Sequence, residues 1–523
     1  MANFHQATWA PETSPSYGNE GKTYGTVHED YVGATWESEE NWVPNASVLS
    51  VGCEFIGTFV LVSTMCCVRL FGDPMWGGSA VAFAFAVLVY ACGPVSGGHL
   101  NPAVSATLCL SGKLKSERAF VYILTQLFAG FMAALICGFL LRFSDVPMGP
   151  VAPFGWWAPV FVEICYTMFL CFVFLNSMSS SRNNPADDNS QTYGIAIGFA
   201  LLAATTVAGP ISGAFLNPAA TLGMGLANGD MSTGWCFGYC LCQILGAMLA
   251  SLLFRGVRPE EFANGGRALP EERMANYFSP LGCRLLSELL GSFALAVTFG
   301  LGLAVLGTPS TAWACAAIVA AFVYSLGNVS GAHFNPVVTL AIVLCGRRKI
   351  SSNDAMWYGA IQLIGGLIAG IFCSNLRSHG PMANKAFGLH AVMGHSWHEA
   401  FVAEMIFTLF LVYVVLSVAT SLRTHSATQQ NFGLGIAVGS CVAVGQVAVG
   451  WVSSGVLNPA VALCFAMVGL ISPGPFTPAP FAQVFLFALA EILGAVIGCL
   501  AYQATHPSEF IRGKEGKATV IYS

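Results

Sequence analysis

After residue 44 the chain alternates long apolar runs with short polar breaks almost to its end. Runs that read as membrane spans lie near 48–70, 79–92, 117–141, 158–180, 192–208 and 234–255. A second set lies near 281–306, 311–326, 354–375, 398–422, 431–449 and 481–504. That is six per half and twelve in all, read as helices by length and apolar content. Shorter apolar runs recur between them, such as Val104–Leu110 and Val461–Val468. They are too short to span, and each follows an Asn-Pro pair. The pattern predicts an all-α membrane protein of 12 transmembrane helices plus 4 re-entrant half-helices.

The four Asn-Pro segments resemble one another. They read Ser96-Gly-Gly-His-Leu-Asn-Pro-Ala103, Ser212-Gly-Ala-Phe-Leu-Asn-Pro-Ala219, Ser330-Gly-Ala-His-Phe-Asn-Pro-Val337 and Ser454-Gly-Val-Leu-Asn-Pro-Ala460. Their asparagines, Asn101, Asn217, Asn335 and Asn458, stand 116, 118 and 123 residues apart. Copies one and three carry His99 and His333; copies two and four do not. The repeating unit is therefore a pair of copies, and the pair occurs twice. The implied organisation is a polar tail over 1–44, a first unit over 45–255 and a linker over 256–280. A second unit over 281–504 and a tail over 505–523 complete it.

The chemistry of the motif follows from its two residue types. Asn is a good helix N-cap. Proline fits the first helical turn, where its missing N–H costs nothing. Pro102, Pro218, Pro336 and Pro459 thus each start a helix. Non-helical backbone at membrane depth is tolerated only beside protein or a water-filled cavity. Two half-helices entering from opposite sides would meet at their N-termini, aiming positive dipole ends at a pore. Their Asn amides could donate to a passing water or solute oxygen, while the same field opposes cations and protons.

Composition and charge fit this reading. Hydrophobic residues make up 55% of the 523 and charged ones 9%, with a net charge of −5 that suggests no nucleic-acid partner. Most of the 18 cysteines sit inside apolar runs and read as packing residues. Of the lysines and arginines, 17 fall on the side that holds the linker and 4 on the other, namely Arg69, Arg142, Arg377 and Lys385. This bias places both termini in the cytoplasm. The first 44 residues lack an early apolar run, so insertion is expected to begin at an internal segment.

Paired Asn-Pro-Ala motifs among six spans resemble the aquaporins, the major intrinsic protein family. The resemblance covers about residues 48–504, as two channel units in tandem. It implies that Glu54, Glu163, Glu288 and Glu404 hold backbone N–H groups of the re-entrant loops. Gln126 and Gln362 occupy matching places in the third spans. In the last spans Gln243 is matched by Glu491, for which the sequence supplies no role. The third motif ends in Val337 where the others have Ala103, Ala219 and Ala460.

The resemblance also locates an outer constriction. Most aquaporins carry Arg directly after the second Asn-Pro-Ala; here that place holds Ala220 and Val461. Spacing from the asparagines maps the rest to Val81, Thr205 and Ala214 in the first unit. The second unit has Cys315, Gln446 and Gly455. Neither set has the His plus Arg of water-specific members, nor the aromatic pair plus Arg of glycerol channels. Arginine-free mouths would be wider and less polar, and would lose one barrier to cations.

The expected function is a passive channel for water or small neutral solutes through two non-equivalent pores in a lipid bilayer. No metal or cofactor is indicated. The family usually forms tetramers, so a tandem chain is expected to pair as a homodimer forming a pseudo-tetramer. The alternative is a structural or junctional membrane protein that kept the fold without conduction. An enzyme is not expected: no nucleotide loop, nucleophile triad or paired catalytic carboxylates appear. His379, His390, His395 and His398 read as a solvated loop rather than a metal site.

Overall fold

A computed structural model describes residues 44–71, 76–141, 148–185, 190–227, 234–274, 277–305, 308–347, 349–378, 389, 391, 394–421, 432–472 and 480–511. The polar N-terminal tail up to residue 43, His379, His390 and Arg142 lie outside them.

The first unit comprises α1 (Pro44–Phe71), α2 (Gly77–Ser96), α3 (Pro102–Leu110), α4 (Ser116–Leu141), α5 (Trp157–Phe174), α6 (Tyr193–Ser212), α7 (Pro218–Ala227) and α8 (Trp235–Val257). A 3₁₀ turn (Pro259–Phe262) and α9 (Glu271–Met274) connect the units. The second unit repeats the order as α10 (Leu281–Val305), α11 (Thr308–Ser330), α12 (Pro336–Leu344), α13 (Ser352–Ser378), α14 (Trp397–Val415), α15 (Leu434–Ser453), α16 (Pro459–Ile471) and α17 (Pro480–Thr505). A short α18 (Ser508–Ile511) follows. Twelve of these helices are long and apolar enough to cross a membrane. Each fifth-position helix, α5 and α14, ends in one π turn, at Leu175–Ser179 and Leu416–Thr420.

The linker is less exposed than its polar composition suggested. Arg258, Glu260 and Glu261 are all buried. Glu261 meets Lys113 at 2.6 Å and accepts from the backbone of Ser181 at 2.7 Å. Burial alone would raise this carboxyl, but the Lys113 ammonium reverses that and holds it below its usual range. Arg258 donates to Asn176 at 2.6 Å and to Ser325 of the second unit at 2.8 Å. The polar residues here are paired with one another, which is what lets them be buried. The second unit repeats the device: Glu509 in α18 meets Arg347 at 2.7 Å and accepts from Ser421 at 2.8 Å. The start of the segment read as a tail from 505 is therefore docked.

The two units pack through unlike faces. Helices α5 and α6 of the first meet α10 and α11 of the second. Tyr166 bonds Thr298 at 3.1 Å and Ser177 bonds Ser325 at 3.2 Å. Phe169 and Phe172 meet Phe322 with ring centroids 5.5 and 6.0 Å apart. Accordingly 78% of the apolar stretch of α5 is buried but 39% of its counterpart α14, and 72% of α11 but 33% of α2.

Candidate functional site

In each unit the two short helices meet end to end. Asn101 caps α3 by accepting from the backbone N–H of Ala103 at 2.9 Å, and Asn217 caps α7 through Ala219 at 2.9 Å. Asn335 and Asn458 do the same for Val337 and Ala460 at 2.9 and 3.0 Å. The side-chain amides then cross. Asn101 donates to the carbonyl of Leu216 at 2.9 Å, and Asn217 donates to that of Leu100 at 3.0 Å. Asn335 donates to Leu457 at 2.8 Å and Asn458 to Phe334 at 2.9 Å. A side-chain amide has two N–H groups. One is committed to the facing loop, and one is left over at the junction.

The loops before the asparagines are strained. The residue ahead of each one, Leu100, Leu216, Phe334 and Leu457, has φ between 50° and 52°. Branched side chains rarely adopt this left-handed region, so surrounding contacts must impose it. Four buried glutamates do so. Glu54 accepts from the backbone N–H of His99 and Leu100 at 2.9 and 2.7 Å. Glu163 accepts from Phe215 and Leu216, both at 3.0 Å. Glu288 accepts from His333 and Phe334 at 3.0 and 2.7 Å, and Glu404 from Val456 and Leu457 at 3.0 and 2.8 Å.

Side chains complete each cradle. Ser96, Ser212, Ser330 and Ser453 each donate a hydroxyl to the local glutamate. The fourth motif therefore begins one residue earlier than the sequence reading had it. Ser453 is the counterpart of the other serines, and Ser454 occupies the glycine place at φ 75°. A serine in a glycine place hid the register. Gln126, Gln243 and Gln362 donate to the first three glutamates at 2.7, 2.9 and 2.8 Å. Tyr122, Tyr239 and Tyr358 donate to the carbonyls of the first three serines at 3.1, 3.1 and 3.0 Å. The fourth loop lacks both supports. Glu491 and Phe487 stand 248 residues after Gln243 and Tyr239. Neither Glu491 oxygen closes a hydrogen bond, although the backbone N–H of Asn458 faces it.

His99 and His333 are held at their Nδ1 atoms by Ser105 and Thr339, at 3.0 and 3.1 Å. No cluster of metal-ligating side chains occurs among the described residues. His395 in the distal loop faces Glu399 at 3.1 Å.

A cavity adjoins the crossed asparagines in each unit. That of the first is about 10 Å³ and is lined by Leu61, Met65, Phe85, Leu201 and Phe215, among others. That of the second is about 50 Å³ and extends past His333 to Val415, Ala419 and Leu434. None of the residues mapped to the outer constriction lines either cavity. Val81, Ala214 and Ala220 are buried, as are Cys315, Gln446 and Val461. Thr205 donates back to the carbonyl of Gly78 at 3.2 Å and of Leu201 at 2.9 Å. The Cys315 thiol and Gln446 face each other between α11 and α15.

One residue beside those mapped to the first outer mouth is not located by spacing in the sequence. Arg69, at the far end of α1, donates to the carbonyl of Gly213 and stacks over Phe215 at 4.0 Å from the ring centroid. It thus brackets Ala214. Spacing from the asparagines could not find it, because it comes from another helix 144 residues away.

The major intrinsic protein model matches residues 40–254, 152–303 and 284–502. The chain belongs to the major intrinsic protein family. The repeated matches agree with two units in tandem. Among its relatives, glycerol uptake facilitator protein-like 6 of Lactiplantibacillus plantarum is 31% identical over 40% of this chain and 97% of its own length. Aquaporin NIP1-2 of Arabidopsis thaliana is 32% identical over 42% of this chain and 72% of its own. The solved aquaglyceroporin of Plasmodium falciparum aligns with a TM-score of 0.38 at 22% identity, over 44% of this chain and 98% of its own. Members of the major intrinsic protein family are passive channels, so this chain is an integral multi-pass membrane channel protein and not an enzyme.

Proposed function

We propose that the chain is a passive channel for water and small neutral solutes. Each unit frames one candidate pore, open or closed, between paired half-helices that re-enter the membrane from opposite faces. The observation that carries this reading is the crossing of the two asparagine amides over abutting helix N-termini. The leftover N–H groups are donors for a solute oxygen, and the facing dipole ends repel cations. The relatives named for glycerol uptake and as aquaporins support the solute class. Val81, Thr205, Ala214 and Ala220 frame the outer mouth of one pore; Cys315, Gln446, Gly455 and Val461 frame the other. The two mouths differ in their hydrogen-bonding groups, which makes the pores non-equivalent. The charge bias supports a cytoplasmic position for both termini.

The test is stopped-flow light scattering on proteoliposomes carrying the purified chain. Flux of water, glycerol or urea should exceed that of empty vesicles and fall to that baseline in an Asn217→Ala/Asn458→Ala variant that still elutes as one species. Equal flux in the variant would remove the pore from the half-helices.

The working assembly is a homodimer. Within one chain, α5 and α6 cover α10 and α11, leaving α1 and α2 at one edge and α14 and α15 at the other. The free edges are the repeats of the two faces already joined. A second copy related by a two-fold axis would join them twice and close a ring of four units. Mass measurement in detergent should return two chains; one or four chains would exclude this ring.

A further inference from the structure

We propose, resting on the channel reading, that the second unit is the conducting path and that the first is closed by its own side chains. Two independent differences between the repeats point the same way.

The first concerns bulk beside the asparagines. The glutamates fix the register of α5 against α14: Glu404 follows Glu163 by 241 residues. On that register Phe174 and Met178 become Val415 and Ala419, while in α6 Tyr193 becomes Leu434. Phe174 is buried against His99, ring centroids 5.9 Å apart and nearly perpendicular. Met178 and Tyr193 both close on Gly93. These side chains fill the region that the second unit leaves open, where Val415, Ala419 and Leu434 line the cavity. A water needs roughly 10–15 Å³ measured this way. The second cavity, about 50 Å³, therefore has room for several waters, and the first, about 10 Å³, has room for about one.

The second difference lies at the opposite end. The loop of the first unit over 212–216 is tied by Glu163, Gln243, Tyr239 and Arg69. Of these ties the matching loop over 453–457 retains only that of the glutamate, Glu404. Leu303 stands where Arg69 would repeat, 234 residues on, just as Glu288 follows Glu54. The first loop is thus pinned across its own mouth by a guanidinium. The second is free of that pin and can yield to a solute.

The test exchanges bulk between the repeats in the full chain, reconstituted in vesicles. Val415→Phe should lower flux by at least about tenfold, because an aromatic ring closes an apolar constriction to water. Ala419→Met, a milder filling, should lower it partly and decides the matter if Val415→Phe fails to fold. Phe174→Val should raise flux by opening the first unit. Wild-type flux in folded Val415→Phe, or in Ala419→Met where that variant decides, would overturn the assignment. Absence of flux from the intact chain and from Phe174→Val alike would instead overturn the channel reading beneath it.

Discussion

Glu163→Ala should leave no stably folded protein. The carboxylate accepts four hydrogen bonds, from the backbone of Phe215 and Leu216, from Ser212 and from Gln243. All of these donors are buried, so none is rescued by bulk water once the acceptor is gone. A buried donor left without a partner costs about 1–3 kcal/mol. Ser212 can turn its hydroxyl to the carbonyl of Ala208 at 3.5 Å, but the other three together still consume much of the roughly 5–15 kcal/mol by which a folded protein exceeds its unfolded state. The loss also frees Leu216 from the contact that imposes its positive φ, and removes the carboxylate that attracts Arg69. Glu163→Gln should be milder, since one amide oxygen still accepts. Size-exclusion profiles and thermal unfolding in detergent decide it: an alanine variant that elutes and melts like the wild type would mean that the loop holds its shape without the carboxylate.

Much of this arrangement was legible because the chain repeats. Asn-Pro announces a helix start wherever it occurs, and four copies at near-constant spacing announce where the starts must meet. Mid-span glutamates are conspicuous because an unpaired charge in an apolar run is costly. The correspondence of Gln126 with Gln362, and the mismatch of Gln243 with Glu491, could be read by counting. What could not be read depends on approach in space. Arg69 looked like an ordinary charge at a span end until its reach to Gly213 and Phe215 was visible. Phe174 and Val415 are both unremarkable apolar residues in a span; only the packing of α5 beside His99 gives the ring a consequence. Arg258, Glu260 and Glu261 read as linker because polarity predicts exposure only when partners are lacking. Lys113, Asn176 and Ser181 come from other parts of the chain.

The weakest of the four loops should be repairable. In the first three cradles an amide donates to the glutamate, and a hydroxyl on the neighbouring short helix accepts from the same amide's nitrogen. Gln126 is held so by Ser105, Gln243 by Thr221 and Gln362 by Thr339, at 2.9, 3.0 and 3.0 Å. In the fourth, Glu491 replaces the amide and Ala462 stands where Thr221 would repeat. Glu491 is fully buried with neither oxygen bonded, beside Glu404, which lacks the amide donor its counterparts have. Glu491→Gln should therefore stabilise the protein by about 1–3 kcal/mol, the cost of the unmet groups it removes. Adding Ala462→Thr should give a further gain by occupying the second N–H. The reverse change, Gln243→Glu, should destabilise the first unit by a similar amount. Thermal unfolding in detergent measures all three, and a lower midpoint for Glu491→Gln would show that the carboxyl has a partner the cradle comparison misses. The double repair also bears on transport. If the loop over 453–457 must yield for solute to pass the second unit, tightening it should slow flux while raising stability. Unchanged flux in the stabilised protein would place the barrier away from this loop.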